Sequence, residues 1–319
     1  MDALVIGGGS WGTAFACVLA RGGHAVTLAC RDPDPLLRDG ENSRYLPGVP
    51  LEPGIAPVRV DLPAQCAGAE IVVLALPSGS TVEVGERLTG SAPVLLLAKG
   101  LDPLSSSLLS ERLAGVSGPV AVLSGPNHAE EIGRGQPAAA VIASADLEIA
   151  RMLQRAIALP AFRLYASADV RGVQLAGASK NVIAIASGAA DALGFGDNAR
   201  AALMTRGLAE MARLGAALGA DPRTYSGLAG MGDLIATCTS RHSRNRRAGE
   251  LLAGGTDPAA IEAAVGMTVE GIHTAPRLRR LAAAEGVELP ITEAVCAVLE
   301  GLPVREAIPL LLERTLADE

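Results

Sequence analysis

The feature that most constrains this chain is a glycine pattern close to its start. Residues 7–12 read Gly-Gly-Gly-Ser-Trp-Gly. They begin at the end of the apolar run ALVIG, residues 3–7, and lie directly before the helix-compatible segment TAFACVLARGG. In a strand–turn–helix context such glycines allow a tight turn, and they let the backbone approach a pyrophosphate at the N-terminus of the helix. A second apolar run follows at the expected distance. The pattern therefore predicts a dinucleotide-binding fold in which Gly7, Gly9 and Gly12 form the phosphate turn.

The first half of the chain alternates short apolar runs with longer segments that are compatible with helices. Continuous apolar runs are typical of parallel strands buried on both faces, and their alternation with helices indicates βαβ units. The sequence predicts an α/β fold, a Rossmann-type doubly wound sheet over residues 1–168. The runs lie at residues 3–7, 25–30, 70–77, 93–100, 120–125, 138–144 and 162–167, with 55–60 as one further candidate.

The second half has a different character. Beyond residue 169 the sequence shows no convincing strand, and its segments are rich in Ala and Leu with helical spacing. Gly and Pro punctuate these segments at expected helix starts and ends, and the last segment covers residues 304–317. We therefore expect an all-helical C-terminal domain over residues 169–319, with no long linker before it.

Length and composition exclude several classes of protein. A chain of 319 residues suggests about two domains. Its net charge of -7 gives no electrostatic footprint for nucleic acid. No apolar stretch is long enough to predict a membrane span, and no signal segment is recognisable at the start. The five cysteines are scattered without metal spacing, so we expect small core residues, no metal and a reducing, cytoplasmic compartment.

The two lysines are the most informative polar residues. They are Lys99 and Lys180 among 27 basic residues, and both are embedded in apolar sequence rather than on a charged face. A lysine can give up its proton, whereas an arginine stays charged in proteins. We expect both lysines to serve one polar site. Lys180, in QLAGASKNVIAIASG, is the candidate that protonates an alkoxide as a carbonyl is reduced.

Other candidate residues follow predicted strands, where ligands bind in doubly wound sheets. Arg31 is the first charged residue after the second strand, and its guanidinium could pair with a 2′-phosphate, which favours NADP(H). Asp32, one residue further, leaves NAD(H) possible. Lys99 ends one strand, and the turn Ser124–Ala129 after another presents backbone N–H groups to an anion.

Three further motifs lie in the helical half. Asp233, near a predicted helix start, is interpreted either as a carboxylate that binds a hydroxyl or positions a lysine, or as a helix N-cap. The cluster Ser243-Arg244-Asn245-Arg246-Arg247 combines a helix start, a hydroxyl and guanidinium groups, which suits a phosphate. Its last two arginines could equally form a solvated charge run. Val269-Glu270-Gly271 could place a carboxylate near the cofactor.

In order along the chain, the segments GGGSWGTAFA, LLAKGL, SGPNHAEE, GVQLAGASKNVIAIASG, GLAGMGDLIATCTS, SRNRRAGE and VEGIHT resemble the bacterial NAD(P)-dependent glycerol-3-phosphate dehydrogenase family. The resemblance covers nearly the whole chain. It implies a reversible reduction of dihydroxyacetone phosphate to sn-glycerol 3-phosphate by NADPH or NADH, which feeds phospholipid synthesis.

The resemblance also implies roles for individual residues. Lys180 would be the general acid and base. Substrate contacts would come from Lys99, Gly125, Asn127, Lys180, Asp233, Ser243, Arg244 and Asn245. Cofactor contacts would come from Gly7, Gly9, Ser10, Trp11, Gly12, Arg31, Tyr45, Lys99, Ala129, Arg244, Val269 and Glu270. One residue departs from the pattern, because many members of the family have Ser or Thr where this chain has Asn127; an amide can still donate and accept hydrogen bonds.

Two alternatives remain open at this stage. A related two-domain dehydrogenase could act on a β-hydroxyacid or ketopantoate, although SRNRR and GDLIATC fit a phosphorylated substrate better. A non-catalytic NADP-binding regulator would bind the dinucleotide without turnover, and intact Lys180, Asp233 and Arg244 argue against it. The expected partners are the small substrate and a second copy of the chain, since an Ala/Leu-rich helical domain could bury a homodimer interface.

Overall fold

The computed structural model describes residues 1–116 and 118–308, without the side chain of residue 63. The chain divides into two compact units. Unit 1 comprises Met1–Asp102 and Ser107–Gln174, and unit 2 comprises Pro103–Ser106 and the chain from Leu175 onward. The predicted boundary after residue 168 stays a prediction. The part of the predicted helix over 304–317 that follows residue 308 lies outside the described residues.

Unit 1 is built around one sheet of eight strands. They are β1 (Asp2–Ile6), β2 (Ala25–Cys30), β3 (Ile55–Arg59), β4 (Ile71–Leu74), β5 (Val94–Leu96), β6 (Val120–Ser124), β7 (Ala138–Ser144) and β8 (Phe162–Ser167). The order in the sheet is β3-β2-β1-β4-β5-β6-β7-β8. The first six strands therefore have the doubly wound arrangement that creates a ligand crevice at the reversal between β1 and β4.

The direction of the last two strands differs from the simplest expectation. β7 pairs antiparallel with β6, and β8 pairs parallel with β7, so both run opposite to the first six. A parallel return needs a crossover that spans the strand length. The connection between β6 and β7 holds one helix of five residues, about 7.5 Å long, rather than the long crossover helix that usually joins parallel strands. The predicted α/β doubly wound class is confirmed, with this antiparallel pair added.

Helices cover the sheet and explain why its strands read as continuous apolar runs. The helices that lie wholly in unit 1 are α1 (Ser10–Arg21), α2 (Asp34–Asp39), α3 (Leu62–Cys66), α4 (Ser78–Gly85), α5 (Leu109–Arg112), α6 (Ala129–Gly133) and α7 (Leu147–Ile157). β4 and β5 are buried at every residue. The core of unit 1 gathers Phe15 and Leu19 of α1 with Val5, Leu28, Val73 and Leu95 of the sheet.

Every regular element described after Val170 is helical, as predicted. Helix α8 (Val170–Ala192) begins in unit 1 and continues into unit 2. The others are α9 (Asp197–Ala217), α10 (Pro222–Ser226), a π-helical turn (Leu228–Gly232), α11 (Asp233–Thr239), α12 (Arg244–Ala253), a 3₁₀ turn (Pro258–Ala260), α13 (Ile261–Val265), α14 (Glu270–Ala284), α15 (Pro290–Leu299) and α16 (Val304–Ala307). Within the described chain, none of the helices has the length and apolar character needed to cross a bilayer.

One close helix approach organises unit 2. A Cβ atom on Gly249 of α12 would collide with the backbone oxygen of Ile185 on α8, and one on Gly188 of α8 would collide with the backbone oxygen of Arg246. The two backbones therefore touch where both helices carry glycine. This contact fixes the N-terminal end of α12 relative to the polar residues Lys180 and Asn181 of α8.

Candidate active site

The glycine-rich turn of unit 1 has the shape that a dinucleotide needs. Gly7 has a φ of +123°, which side chains rarely adopt. A Cβ on Gly12 would collide with the Gly7 carbonyl oxygen, so this glycine allows close packing of α1 against β1. A Cβ on Gly9 would meet nothing within 4 Å. The space in front of Gly9, beside the N-terminus of α1, is the space that a pyrophosphate would fill.

The two residues between these glycines sit at the start of α1. Ser10 is the first residue of the helix and is buried. The Trp11 ring packs edge-on against Phe15, with ring centroids 5.6 Å apart. Its Nε1 atom is buried and has no hydrogen-bond partner among the described residues. A buried donor without a protein acceptor fits a turn that holds a polar ligand.

Asn42 supports this turn, and sequence reasoning missed it. Its Nδ2 donates to the Gly8 carbonyl oxygen at 2.9 Å and to Thr13 Oγ1 at 2.8 Å. Its Oδ1 accepts from the backbone N–H of Tyr45 at 3.2 Å. Asn42 is buried, so these bonds tie the segment NSRYLPG to the turn. Tyr45 is thereby held in the same part of unit 1, half-buried and with its ring centroid 4.9 Å from the Arg44 guanidinium.

The polar residues after β2 are open to solvent. Arg31 and Asp32 are both exposed, and neither forms an ion pair within the described chain. The Arg31 guanidinium is therefore available to bind a phosphate, and the Asp32 carboxylate is available to accept a hydrogen bond from a ribose hydroxyl. The geometry is compatible with both cofactor interpretations of the sequence, NADP(H) through Arg31 and NAD(H) through Asp32.

Lys99 and Asn127 are joined in unit 1 beyond the carboxyl ends of β5 and β6. Lys99 Nζ donates to Asn127 Oδ1 at 2.7 Å and to the Gly125 carbonyl oxygen at 3.0 Å. Because the ammonium faces the amide oxygen, the orientation of the Asn127 amide is fixed. Its Nδ2 is buried and lacks a partner among the described residues. The pair therefore offers an amide donor beside a positive charge, and Ala129 begins helix α6 two residues later.

Lys180 is at the centre of the polar site in unit 2. It is 5% exposed, and its Nζ donates to Asp233 Oδ1 and to Thr237 Oγ1, both at 2.6 Å. Asp233 is 2% exposed. A buried charge requires a partner, and this carboxylate compensates the ammonium. The helical half thus presents a proton donor held by two short hydrogen bonds.

The two interpretations of Asp233 can now be separated. Asp233 is the first residue of α11, directly after the π-helical turn, and the N-cap position is occupied by Gly232 without a side-chain cap bond. The N-cap interpretation is therefore wrong. The carboxylate points to Lys180 instead.

Thr237 completes this group and was not singled out from the sequence. Its hydroxyl donates to the Asp233 backbone oxygen at 2.7 Å and accepts from Lys180. The spacing of four residues between Asp233 and Thr237, which places both on one helix face, was the available signal. Cys238 is the next residue, and burial raises the pKa of its thiol to about 12. It packs in the core rather than acting as a nucleophile.

Asn245 links three helices beside Lys180. Its Nδ2 donates to Asn181 Oδ1 at 2.9 Å, and its Oδ1 accepts from the backbone N–H of Gly271 at 2.9 Å. Helix α14 begins at Glu270, so Asn245 holds the start of that helix. The side chain of Val269 is fully buried, and its backbone N–H donates to Glu262 at 2.7 Å. Val269 is 0% exposed as a whole residue, backbone included, so its place among the cofactor contacts stays a prediction from the family pattern.

The arginines at the start of α12 differ in their partners. Ser243 is the N-cap, and its Oγ accepts from the backbone N–H of Arg246. Arg246 pairs with Asp191 and Glu250, and Arg247 also pairs with Glu250. Arg244 is half-buried and has no carboxylate partner within residues 1–116 and 118–308; its guanidinium contacts only Met267 Sδ at 4.0 Å. Arg244 is the arginine of this cluster that is available to an anion.

Metal ligation finds no support in the described chain. Its His, Cys, Asp and Glu residues form no group of three or more that could hold an ion. All five cysteines are buried and unpaired.

A Rossmann-type unit with a dinucleotide turn, followed by a helical unit with a buried lysine–carboxylate pair, defines the class of two-domain nicotinamide-dependent dehydrogenases. Two family models match the chain. The N-terminal model of NAD-dependent glycerol-3-phosphate dehydrogenase covers residues 3–150, and the C-terminal model covers residues 169–309. This chain belongs to the NAD-dependent glycerol-3-phosphate dehydrogenase family.

Individual relatives are similar over nearly their whole length. The chain is 49% identical to glycerol-3-phosphate dehydrogenase (NAD(P)+) of Moorella thermoacetica, over 99% of this chain and 96% of that protein. It is 51% identical to the enzyme of the same name from Deinococcus radiodurans, over 93% and 90%. The crystal structure of glycerol-3-phosphate dehydrogenase from Coxiella burnetii superimposes with a TM-score of 0.93 at 38% identity, over 98% and 99% of the two chains.

Proposed function

We propose that this chain catalyses the reversible reduction of dihydroxyacetone phosphate to sn-glycerol 3-phosphate with NADPH or NADH. Family membership supports the reaction class. The observation that carries the proposal is the site in unit 2, where a buried Lys180–Asp233–Thr237 group accompanies Arg244, which has no acidic partner among the described residues. The first group suits a carbonyl that becomes a hydroxyl, and the second suits a phosphate.

Unit 1 is proposed to hold the dinucleotide. The turn around Gly9 and the start of α1 leave space for its pyrophosphate. When bound, the reduced nicotinamide supplies the hydride. The proposed cofactor contacts, which follow the family pattern, are Gly7, Gly9, Ser10, Trp11, Gly12, Arg31, Tyr45, Lys99, Ala129, Arg244, Val269 and Glu270.

Lys180 is proposed as the general acid. Its Nζ stabilises negative charge on the ketone oxygen and donates a proton to it, and in the oxidative direction it removes the hydroxyl proton. Asp233 and Thr237 use two of the three ammonium donors, which leaves the third for the substrate. The carboxylate keeps the buried lysine compensated while the hydroxyl restricts its orientation.

The start of α12 is proposed to bind the substrate phosphate. Arg244 supplies a guanidinium, Ser243 retains its hydroxyl hydrogen as a donor, and the helix N-terminus favours an anion. Asn245 holds this helix end beside Asn181. Binding energy from the phosphate, which does not react, then orients the carbonyl. The family pattern implies further substrate contacts from Lys99, Gly125, Asn127, Asp233 and Lys180.

We expect Gly9→Ala to weaken cofactor binding by about tenfold or more without lowering Tm, because one methyl group would occupy the pyrophosphate space. Gly9 has an extended backbone, and its Cβ would contact no protein atom. Titration with NADPH and thermal unfolding measure the two effects. The matched control is Gly12→Ala, whose Cβ collides with the Gly7 carbonyl and should lower Tm by several degrees. Unchanged NADPH affinity in Gly9→Ala would remove the turn from the cofactor site.

A substrate panel separates this function from its alternatives. Ketopantoate and β-hydroxyacids would be the preferred substrates of a related dehydrogenase, and a non-catalytic regulator would bind NADPH without oxidising it on any ketone. We expect kcat/KM for dihydroxyacetone phosphate to exceed that for every unphosphorylated ketone. A preference for ketopantoate or a β-hydroxyacid would support the related dehydrogenase instead. NADPH binding without turnover of any ketone would support the non-catalytic regulator.

Three further features are proposed for this chain. Arg31 favours NADPH over NADH, and the ratio of the two kcat/KM values measures this preference. A homodimer rests on the Ala/Leu-rich composition of the helical half, and sedimentation measures it. Composition and net charge support a cytoplasmic location without a nucleic-acid partner.

A further inference from the structure

Two arginines follow neighbouring strands at the same edge of the sheet. β2 and β3 pair in parallel with Cys30 opposite Arg59, so the carboxyl ends of both strands meet at this edge. Arg31 directly follows β2, and Arg59 is the last residue of β3. This is the edge at which a doubly wound sheet receives the adenosine ribose.

Arg59 lies against the backbone of Arg31. Its Nη1 donates to the Arg31 carbonyl oxygen at 3.0 Å. The backbone of Arg59 is itself fixed, because its carbonyl oxygen accepts from Gln65 Nε2 at 2.6 Å, and Gln65 Oε1 accepts from the N–H of Asp61 at 2.9 Å. The N–H of Val60 also donates to the Cys30 carbonyl oxygen. The position of the Arg59 guanidinium beside the β2 end thus follows from a network of hydrogen bonds.

Neither arginine is neutralised by the protein. Both are exposed, and neither forms an ion pair with a carboxylate in the described parts of the chain, including the adjacent Asp32. Arg38, a short distance along the chain, pairs with Asp39 in the more usual way. Two positive side chains that start from adjacent strand ends repel each other, and an anion bound at that edge offsets the repulsion. A dianionic phosphate monoester matches this arrangement, since guanidinium groups bind phosphate in a bidentate way.

We propose that Arg59 is a specificity-determining residue for NADP(H), which supplies with Arg31 a second guanidinium to the 2′-phosphate. This inference rests on the proposed function only in taking a nicotinamide dinucleotide as the ligand. NAD(H) lacks the 2′-phosphate, so Arg59 contributes to one cofactor and not to the other. Specificity is a difference between two affinities, and Arg59 raises one of them.

The test uses adenosine 2′,5′-bisphosphate and adenosine 5′-monophosphate, which differ by the 2′-phosphate alone. We expect Arg59→Ala to weaken binding of the bisphosphate by about tenfold in calorimetric titrations, with the monophosphate within a factor of about two. The same variant should lower kcat/KM with NADPH about tenfold and leave that with NADH unchanged. Arg59→Lys keeps the positive charge but lacks the two parallel N–H donors of a guanidinium. Its affinity for the bisphosphate should lie between those of the unmodified protein and Arg59→Ala.

Arg155→Ala is the matched control, because Arg155 is an exposed arginine on α7 without an ion pair among the described residues. It should bind both nucleotides like the unmodified protein, and Tm values should show that all variants are folded. Equal losses for both nucleotides, or no loss for either, would overturn the role of Arg59. Because the titrations need no ketone, a failure of turnover with dihydroxyacetone phosphate would overturn the proposed function and leave this test valid.

Discussion

Replacing Lys180 with alanine is expected to lower kcat by about 10³-fold or more while NADPH still binds. The variant loses both the proton donor and the charge that stabilises the developing oxyanion, and each is a large catalytic effect. Steady-state kinetics give kcat, and a nucleotide titration gives the Kd for NADPH. Near-normal turnover would remove Lys180 from the catalytic role.

Stability must be separated from catalysis in this experiment. Lys180→Ala leaves the buried Asp233 carboxylate without its ammonium partner, and breaking a buried pair in this way costs about 3–5 kcal/mol of the free energy of unfolding. The double variant Lys180→Met with Asp233→Asn removes both charges and should unfold much closer to the unmodified protein. Its kcat should nevertheless stay as low as that of Lys180→Ala. If the double variant recovered turnover, the loss of kcat in Lys180→Ala would be due to impaired folding rather than to lost catalysis.

Replacing Arg244 with alanine is expected to lower kcat/KM for dihydroxyacetone phosphate by about 10²-fold. Truncating a charged partner of a desolvated phosphate costs a few kcal/mol, and Arg244 is half-buried without a carboxylate partner in the described chain. Dihydroxyacetone, which lacks the phosphate, serves as the comparison substrate. Because Arg244 is also a proposed cofactor contact, both ketones are compared at saturating cofactor concentration. The slow reduction of dihydroxyacetone should then change little, so the preference for the phosphorylated ketone is largely lost.

Arg247→Ala is the matched control for this prediction. Arg247 lies on the same helix, is exposed and pairs with Glu250. Its removal changes the net charge equally and should alter kcat/KM by no more than a factor of about two. If Arg244→Ala lowered kcat/KM for both ketones by the same factor, Arg244 would not be the phosphate ligand.

Much of the fold could be predicted because the inner strands of unit 1 are buried on both faces. Such strands read as uninterrupted apolar runs, and the runs at 25–30 and 138–144 coincide with observed strands. The run at 162–167 also coincides with a strand, but its burial alternates, with Arg163 and Tyr165 exposed. Burial carries no information about direction, so the antiparallel pairing of β7 with β6 was not predictable from these runs. The length of the connection between the two strands, residues 125–137, allows either direction, so only the observed pairing decides it.

The candidate site could be predicted only where a residue type stands out locally. Lys99 and Lys180 are conspicuous because the rest of the chain uses arginine. Asn42 and Thr237 are ordinary in sequence, and their importance depends on partners that the fold brings to them. Asp233 shows the same limit, because a carboxylate near a helix start has two uses that only the tertiary contact with Lys180 separates.

The most direct test of the central claim is the oxidation of reduced cofactor by dihydroxyacetone phosphate. Purified protein is mixed with the ketone and either NADPH or NADH, the loss of nicotinamide absorbance is followed, and the product is identified. We predict rapid oxidation of at least one cofactor with formation of sn-glycerol 3-phosphate. Folded protein that binds cofactor but oxidises neither NADPH nor NADH would contradict the assignment.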